Sequence, residues 1–463
     1  MATQALKCER HGEFTRLTCV DCGKPICPKC AVRTEVGLKC EDDATPAAIP
    51  EKALAMMRPS RTPLYLALAG AVVLAVLIVV LLSLRGGDSG EQTQAQLPPT
   101  GSWTQAPDLA TIRGTTVSVT LKDGKVLVAG GGVGAIPVAA AELFDPADGQ
   151  WKPTGQLNEA RRGHAVALLN DGRVLIAGGR NPDGDPTASA EMYDPAAGTW
   201  TTTAPMSLGR IGHTMTTLAD GRVLAAGGTA RGTGVAGGGQ TIAPVATAEI
   251  FDPRTGSWRS ITNMSTARFE HTATALADGK VLMAGGQGPG DGGRVTALAT
   301  AELYDPAADS FVATTNLSEG RTNHAAVLLA DRSTVLVVGG AGGTNADVSL
   351  GSAELYDARS GSWTRATPLS EARTGATATL LADGRVLVAG GESATRGQRR
   401  SLKKGEVFDP QAREWRSAGD MQCPRSEQAA TLLGDGTVLV VAGDAAFPGQ
   451  APIAQGCVDR YKP

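Results

Sequence analysis

Three things are scarce in this chain of 463 residues: aromatic side chains, net charge, and cysteine beyond the first forty positions. Aromatics make up only 4%, while glycine reaches 59 residues, a combination that fits a turn-rich chain of small side chains. The formal net charge is −3, from 43 basic and 46 acidic residues, so nothing electrostatic points to nucleic acid as a partner. Six of the eight cysteines precede residue 41, and the other two, Cys423 and Cys457, lie near the C-terminus. Such a split points to two different cysteine chemistries. Length alone allows about three domains at roughly 150 residues each.

One apolar run stands out against this background. Leu64–Leu84, "LYLALAGAVVLAVLIVVLLSL", is 21 residues without a charge. A helix rises about 1.5 Å per residue, enough for this run to cross a hydrocarbon core of about 30 Å. A buried helix of a soluble protein would show a polar face, and this run shows none. A cleaved leader is excluded by the more than 60 residues that precede it. Lys52, Arg58 and Arg61 flank it on one side and only Arg85 closely on the other, followed by "GGDSGE". An excess of flanking cations marks the cytoplasmic side, so the N-terminus is expected inside and residues 85–463 outside. The lack of an organelle-type signal and the Ala/Gly/Arg-rich style lead us to expect a bacterial inner membrane. The segments so defined are a metal module (1–50), a juxtamembrane stretch (51–63), the span (64–84), a polar linker (85–100) and a large domain (101–463).

The metal module is written in pairs two residues apart: Cys8/His11, Cys19/Cys22, Cys27/Cys30 and Cys40/Asp43. Paired ligands at this spacing reach one ion across a tight turn, and zinc takes four ligands in a tetrahedron. Four pairs suffice for two ions, and full coordination leaves no open position for catalysis. The pattern C-x2-H-x7-C-x2-C-x4-C-x2-C resembles the B-box zinc finger. That resemblance implies interleaved sites, one of Cys8, His11, Cys27 and Cys30, the other of Cys19, Cys22, Cys40 and Asp43. The B-box usually ends in two histidines, whereas here the last pair is Cys40 and an acidic residue, with Asp42 able to compete with Asp43. The resemblance also implies a protein-interaction role, here towards a cytoplasmic partner.

Residues 101–463 repeat one phrase seven times. An aromatic slot holds Trp103, Trp151, Trp200, Trp258, Phe311, Trp363 and Trp415. Twenty residues after each stands an Asp, from Asp123 to Asp435, with an Arg ten before it: Arg113, Arg161, Arg210, Arg268, Arg321, Arg373 and Arg425. Gly-Gly closes "VLVAGG" in six copies, and "AELYD" supplies Glu142, Glu191, Glu249, Glu302, Glu354, Glu406 and finally Asp459. A period of about 50 residues with Gly-Gly and Trp marks resembles kelch repeats, which implies an all-β, seven-bladed propeller of four-stranded blades. Strand A is "HTATALA", B "VLMAGG", C "AELYDP" and D the Trp segment. Asp-Gly between A and B predicts a two-residue hairpin turn. The domain opens on a lone strand D (101–109) and ends on a strand C, so the first strand is expected to complete the last blade and remove two open edges.

All length variation falls in the B-to-C loops, which share one face with the D-to-A connections; that face is the expected binding surface. The longest loop is 229–247, and the most basic is 392–405, with Arg396, Arg399, Arg400, Lys403 and Lys404. That basic loop reads either as an anion-binding surface or as a solvated, mobile loop. His164, His213, His271 and His324 share one repeat slot, filled elsewhere by Thr116, Ala376 and Gln428, so they read as building residues before metal ligands. The Arg and Glu slots read as within-blade ion pairs. A Cys423–Cys457 disulfide is left open, to be decided by distance. The copper-site relative within kelch propellers is galactose oxidase; here Tyr193, Tyr304, Tyr356 and Tyr461 all occupy the strand C slot, which leaves none for a redox centre. The expected function is a single-span membrane protein that binds a protein or glycan outside and a protein inside through zinc. A tethered carbohydrate-active enzyme is the alternative, using loop acids such as Asp183, Asp185, Asp291, Asp347 or Glu392. An asymmetric acidic cluster on the loop-rich face favours the enzyme; a flat polar or basic face favours the binder.

Overall fold

The computed structural model describes residues 99–231, 242–344, 346–395 and 398–463, and four short strands nearer the N-terminus. Two units result, Met1–Gln94 and Ala95–Pro463. In the first, Leu6–Lys7 pairs with Phe14–Thr15, and Ala31–Thr34 pairs with Gly37–Cys40, which sets Cys40 opposite Ala31. The side chains of the eight expected zinc ligands and the whole apolar run 64–84 lie outside the described residues. Among the described residues, no helix is long and apolar enough to cross a membrane.

The second unit is a seven-bladed propeller. Blade 1 runs from inner strand A (Val117–Thr120) through B (Val126–Ala129) and C (Ala141–Asp145) to outer strand D (Gln150–Pro153). Blades 2 to 6 repeat this antiparallel order. Blade 7 takes its outer strand from the other end of the domain: Ser102–Ala106 pairs with Val458–Lys462, with Trp103 opposite Tyr461. The closing strand is thus shorter than the segment expected from sequence but occupies the expected place. Each inner strand lies against the next, and blade 7 against blade 1, so the ring is complete.

The apolar cores lie between blades. Strand B of every blade is buried along its length, because both its faces meet a neighbouring blade; hence the unbroken "VLVA" pattern rather than alternation. Leu175, Ala177 and Met192 of blade 2 pack with Val223, Ala225 and Phe251 of blade 3, and Val126 and Phe144 of blade 1 pack in the same way with Leu439 and Val458 of blade 7. Inner strands carry Thr, Ala and Val. An aromatic pair pins strand C to strand D in every blade, with ring centroids 4.9 to 5.2 Å apart. Such tilted pairs add about 0.5–1.5 kcal/mol each beyond their burial. The scarcity of aromatics follows: the design needs about two per blade.

The A-to-B turn differs from the expectation. Leu121 N donates to Lys125 O and Gly124 N to Leu121 O, with only Gly124 in the left-handed region, at φ 85°. This is a three-residue loop, a type I turn followed by a glycine bulge, not a two-residue turn with both residues left-handed. Asp123 accepts from Lys125 N instead of adopting positive φ itself. In blade 5, Arg332 takes the left-handed place at φ 59°.

Candidate functional site

The seven arginines form a buried girdle, each fully shielded from solvent. Arg113 shows the pattern: Nη1 donates to Gly130 O at 3.1 Å and Ala140 O at 2.6 Å, and Nη2 to Glu142 Oε1 at 2.7 Å. Glu142 also accepts the backbone N–H groups of Ala110 and Thr111, so it anchors the incoming D-to-A connection. The other blades repeat the ion pair, ending with Arg425 and Asp459. Burial pushes Arg113, Arg210, Arg268, Arg373 and Arg425 down, while the partner carboxylates oppose this. These pairs fix geometry, as their slots implied.

The histidines are also interior. His164 rests on Gly130 of the preceding blade; a Cβ there would sit 2.5 Å from its Cε1, which explains glycine at the first Gly-Gly position. His271 Nε2 meets Thr214 Oγ1 at 3.0 Å, and His324 Nε2 meets Thr272 Oγ1 at 3.0 Å. Burial, helped by the girdle arginines, holds His164 and His324 down at about 3 and the other two well below their ordinary value. They are neutral and buried within the ring, structural rather than ligating.

On the loop-rich face, every B-to-C connection except that of blade 2 opens with a short two-stranded ribbon. Part of the longest connection, residues 232–241, lies outside the described residues. In the basic connection the described residues form a ribbon, in which Glu392–Thr395 pairs with Gln398–Ser401. Arg400 and Lys404 meet Glu371, and Arg399 meets Glu392. Arg396 lies outside the described residues. Asp185 pairs with Arg231, and Asp183 and Asp347 are exposed. The side chain of Asp291 lies outside the described residues; among the other candidate acids, Glu392 alone enters the axial cavity described next. Cys423 and Cys457 form a disulfide that ties the end of blade 6 to blade 7 beside the Arg425–Asp459 pair.

At the axis, the second residue after each girdle arginine is left-handed: Thr115, Gly163, Gly212, Glu270, Asn323, Gly375 and Glu427, with φ from 49° to 64°. Their backbones form a chain around the channel mouth, from Gly212 N to Gly163 O, Glu270 N to Gly212 O, Asn323 N to Glu270 O, Gly375 N to Asn323 O and Glu427 N to Gly375 O, at 2.9–3.2 Å. Glycine adopts this conformation without cost; Glu, Asn and Thr there carry strain of order 1 kcal/mol, which commonly accompanies function. Beneath them lies a cavity of about 390 Å³ lined by Thr115, Arg162, Glu270, Gln287, Asn323, Glu392, Arg399, Glu427 and Asp444, with no aromatic ring in its wall. Asn323 Nδ2 donates to Glu427 Oε1, and Thr322 Oγ1 to Glu270 Oε2 at 3.4 Å. Glu270 is exposed to water at the mouth, although protein crowds its carboxyl. Burial and the charge of Glu427 push its carboxyl up to about 7. Burial likewise raises Glu427, Glu392 and Asp444.

Sequence reasoning missed Glu270, Asn323, Glu427, Asp444 and Arg162. One signal could have found the first three. The axial slots depart from the repeat, holding glycine in three blades and Glu, Asn or Thr in four.

Three stretches of the chain, 161–207, 213–265 and 373–422, match the Kelch motif, and residues 3–35 match the B-box zinc finger. The B-box match contains the first six expected ligands, Cys8 to Cys30, and stops before Cys40 and Asp43. No curated protein matches the chain. Among solved structures, a fungal alcohol oxidase of the AA5 family in complex with copper is similar, with a TM-score of 0.61 at 16% identity over 78% of this chain and 76% of that one. YjhT is similar with a TM-score of 0.50 at 14% identity, over 64% of this chain and 93% of that one. At such identities the likeness is one of fold. The chain therefore carries kelch motifs built into a seven-bladed β-propeller, behind an N-terminal B-box zinc finger, two kinds of module that generally serve protein interaction.

Proposed function

We propose that the chain is a single-span protein of the bacterial inner membrane, with a zinc module in the cytoplasm and a propeller outside that binds a protein or glycan. One observation carries this reading: the Cys423–Cys457 disulfide suits an oxidising compartment, while a thiol-rich metal pattern suits a reducing one. The uncharged run 64–84 separates the two. Two zinc ions would be held by Cys8, His11, Cys27 and Cys30, and by Cys19, Cys22, Cys40 and Asp43 or Asp42. The metal would supply much of the folding energy of so short a module. The linker 85–100 is polar, rich in Gly, Gln and Thr, a composition across which clustering transmits a signal more readily than a rigid movement does. Protease applied to intact cells tests the arrangement. Loss of the propeller with protection of residues 1–50 is expected; a protected propeller overturns it.

The asymmetric carboxylates of the axial cavity favour a second reading, a tethered carbohydrate-active enzyme. A Glu270 that titrates near neutrality beside Glu427 has the form of an acid–base pair. Against this stands the absence, among the described residues, of any aromatic ring lining the cavity for a sugar to stack on. Copper chemistry of the kind named for the oxidase finds no support in the tyrosines and histidines of the propeller, which are buried in and between blades. Turnover of an oligosaccharide, abolished by Glu270→Gln, would establish the enzyme.

A further inference from the structure

The axial cavity carries an excess of negative charge. Arg399 sits 3.4 Å from Glu392, and Arg162 donates to Gly134 O and, at 3.4 Å, to Thr115 Oγ1. Among the described residues Glu270 has no cation beside it, and Glu427 is held by the neutral amide of Asn323 and feels Arg162 and Arg399 more weakly. Gln287 lines the same cavity, 9% exposed, and among the described residues its side-chain amide has no hydrogen-bond partner. Its amide atoms are not shielded from solvent, so they face the water of the cavity and are open to a ligand. The carboxylates do not converge as a metal site would. Among the described residues the only group of three or more His, Cys, Asp or Glu whose ligand atoms lie within 4.8 Å of one another is Cys423, Cys457 and Asp459, away from the axis and engaged in the disulfide. The cavity therefore suits an organic cation with some length better than a bare metal ion.

A second observation lies beside it. Ile136, Ile453, Ile112, Phe447 and Val133 are exposed by 38–70%. Val133 and Ile136 form the ribbon of blade 1, Ile453 belongs to the ribbon of blade 7, and the two ribbons touch. Ile112 packs against Gly456 at the same junction. Pro452, next to Ile453, already lines the cavity. An apolar shelf thus adjoins an acidic hole on one face, and exposed apolar groups gathered in this way mark interaction surfaces.

We propose that this face holds a segment of a partner protein that sends one lysine or arginine side chain down the axis, to Glu270, Glu427 and Gln287, while its apolar neighbours rest on the ribbons of blades 7 and 1. The inference rests on the protein-binding reading. It explains why, among the described residues, four carboxylates line the cavity with only two arginines: the partner brings the missing charge. A cation there also favours ionised carboxylates, so binding strengthens as pH rises through the range where Glu270 gives up its proton.

The test is an array of short peptides in which Lys, Arg, norleucine or Glu is flanked by Leu or Phe, probed with the full-length purified chain. Lys or Arg peptides are expected to bind at least tenfold more tightly than norleucine ones, and more tightly at pH 8 than at pH 6. Glu270→Gln with Glu427→Gln is expected to remove the preference, and Gln287→Ala to weaken it severalfold. Ile453→Ser with Ile136→Ser should lower affinity for all apolar-flanked peptides, with unchanged melting temperatures as the control. Equal binding of norleucine and lysine peptides, sensitive only to the isoleucine changes, overturns the cation proposal and leaves protein binding intact. Calcium binding at the axis by calorimetry, in place of peptide binding, also overturns it. Turnover of a sugar with no peptide bound overturns the reading on which it rests.

Discussion

The girdle and the axial mouth are two rings about one axis, a few residues apart in every repeat, and they differ in kind. The girdle holds an arginine in all seven blades, with its partner glutamate in six and Asp459 in the seventh. The mouth holds Thr, Gly, Gly, Glu, Asn, Gly and Glu. The girdle has its charges paired and its Nη1 donors on backbone carbonyls, though the Nε groups of Arg210, Arg268 and Arg321 lack a partner; the mouth has strained backbone, like charges together and an amide with no hydrogen bond to the protein. Identity across blades therefore marks what builds the ring, and difference across blades marks what the ring presents.

The largest expected effect tests the building side through pH. Each buried histidine is neutral in the fold and titrates near 6.5 when unfolded. Its stabilisation is present above about pH 6.5 and is lost as pH falls below that, down to about 3 for His164 and His324. The slope is about 1.4 kcal/mol per pH unit for each histidine. Melting temperatures should drop steeply between pH 6.5 and 5, and replacement of the four by Gln, the residue at Gln428, should flatten the curve. Glu270 works the other way. Its raised carboxyl makes the fold less stable as pH climbs from about 4.5 to 7, so Glu270→Gln should steepen the acid limb.

Next, Arg268→Leu strands Glu302 in the interior and removes donors from Gly285 O and Thr300 O. A loss of about 3–5 kcal/mol is expected by denaturant unfolding. Replacement of Cys423 and Cys457 together by Ser should cost about 2–4 kcal/mol relative to the oxidised protein, and nothing relative to the reduced one. Ala165→Thr should gain about 0.5–1.5 kcal/mol. It supplies His213 with the hydroxyl that Thr214 gives His271, and both ring nitrogens of His213 now lack a partner. Smallest of all, Glu427→Gln at the mouth should shift stability by less than about 1 kcal/mol while it alters binding. A girdle-sized loss there would break the contrast between the two rings.

The blade count, the strand order and the closure by the first strand were legible because each rests on residues at fixed spacing, such as Trp103 and the terminal "CVDRYKP". The A-to-B turn was misread because Asp-Gly fits two turn geometries, and hydrogen bonding by Asp123 selects the one in which only glycine is left-handed. The axial site was hidden for a different reason. Glu270 and Glu427 stand three blades apart, and only closure of the ring gives them a shared cavity. The basic segment 392–405 misled in the opposite sense, since Glu371, outside it, takes up Arg400 and Lys404.

Completion of blade 7 by Ser102–Ala106 also sets a clock. That strand is made first, yet its partner Val458–Lys462 lies about 350 residues later in the chain. At a synthesis rate of roughly 5–20 residues per second, the first strand waits for about 20–70 s with its edge unpaired. Truncation of the last five residues would leave that strand without a partner permanently. The two ends of the domain thus act as a proofreading pair, in which only a chain read through Val458–Lys462 can close.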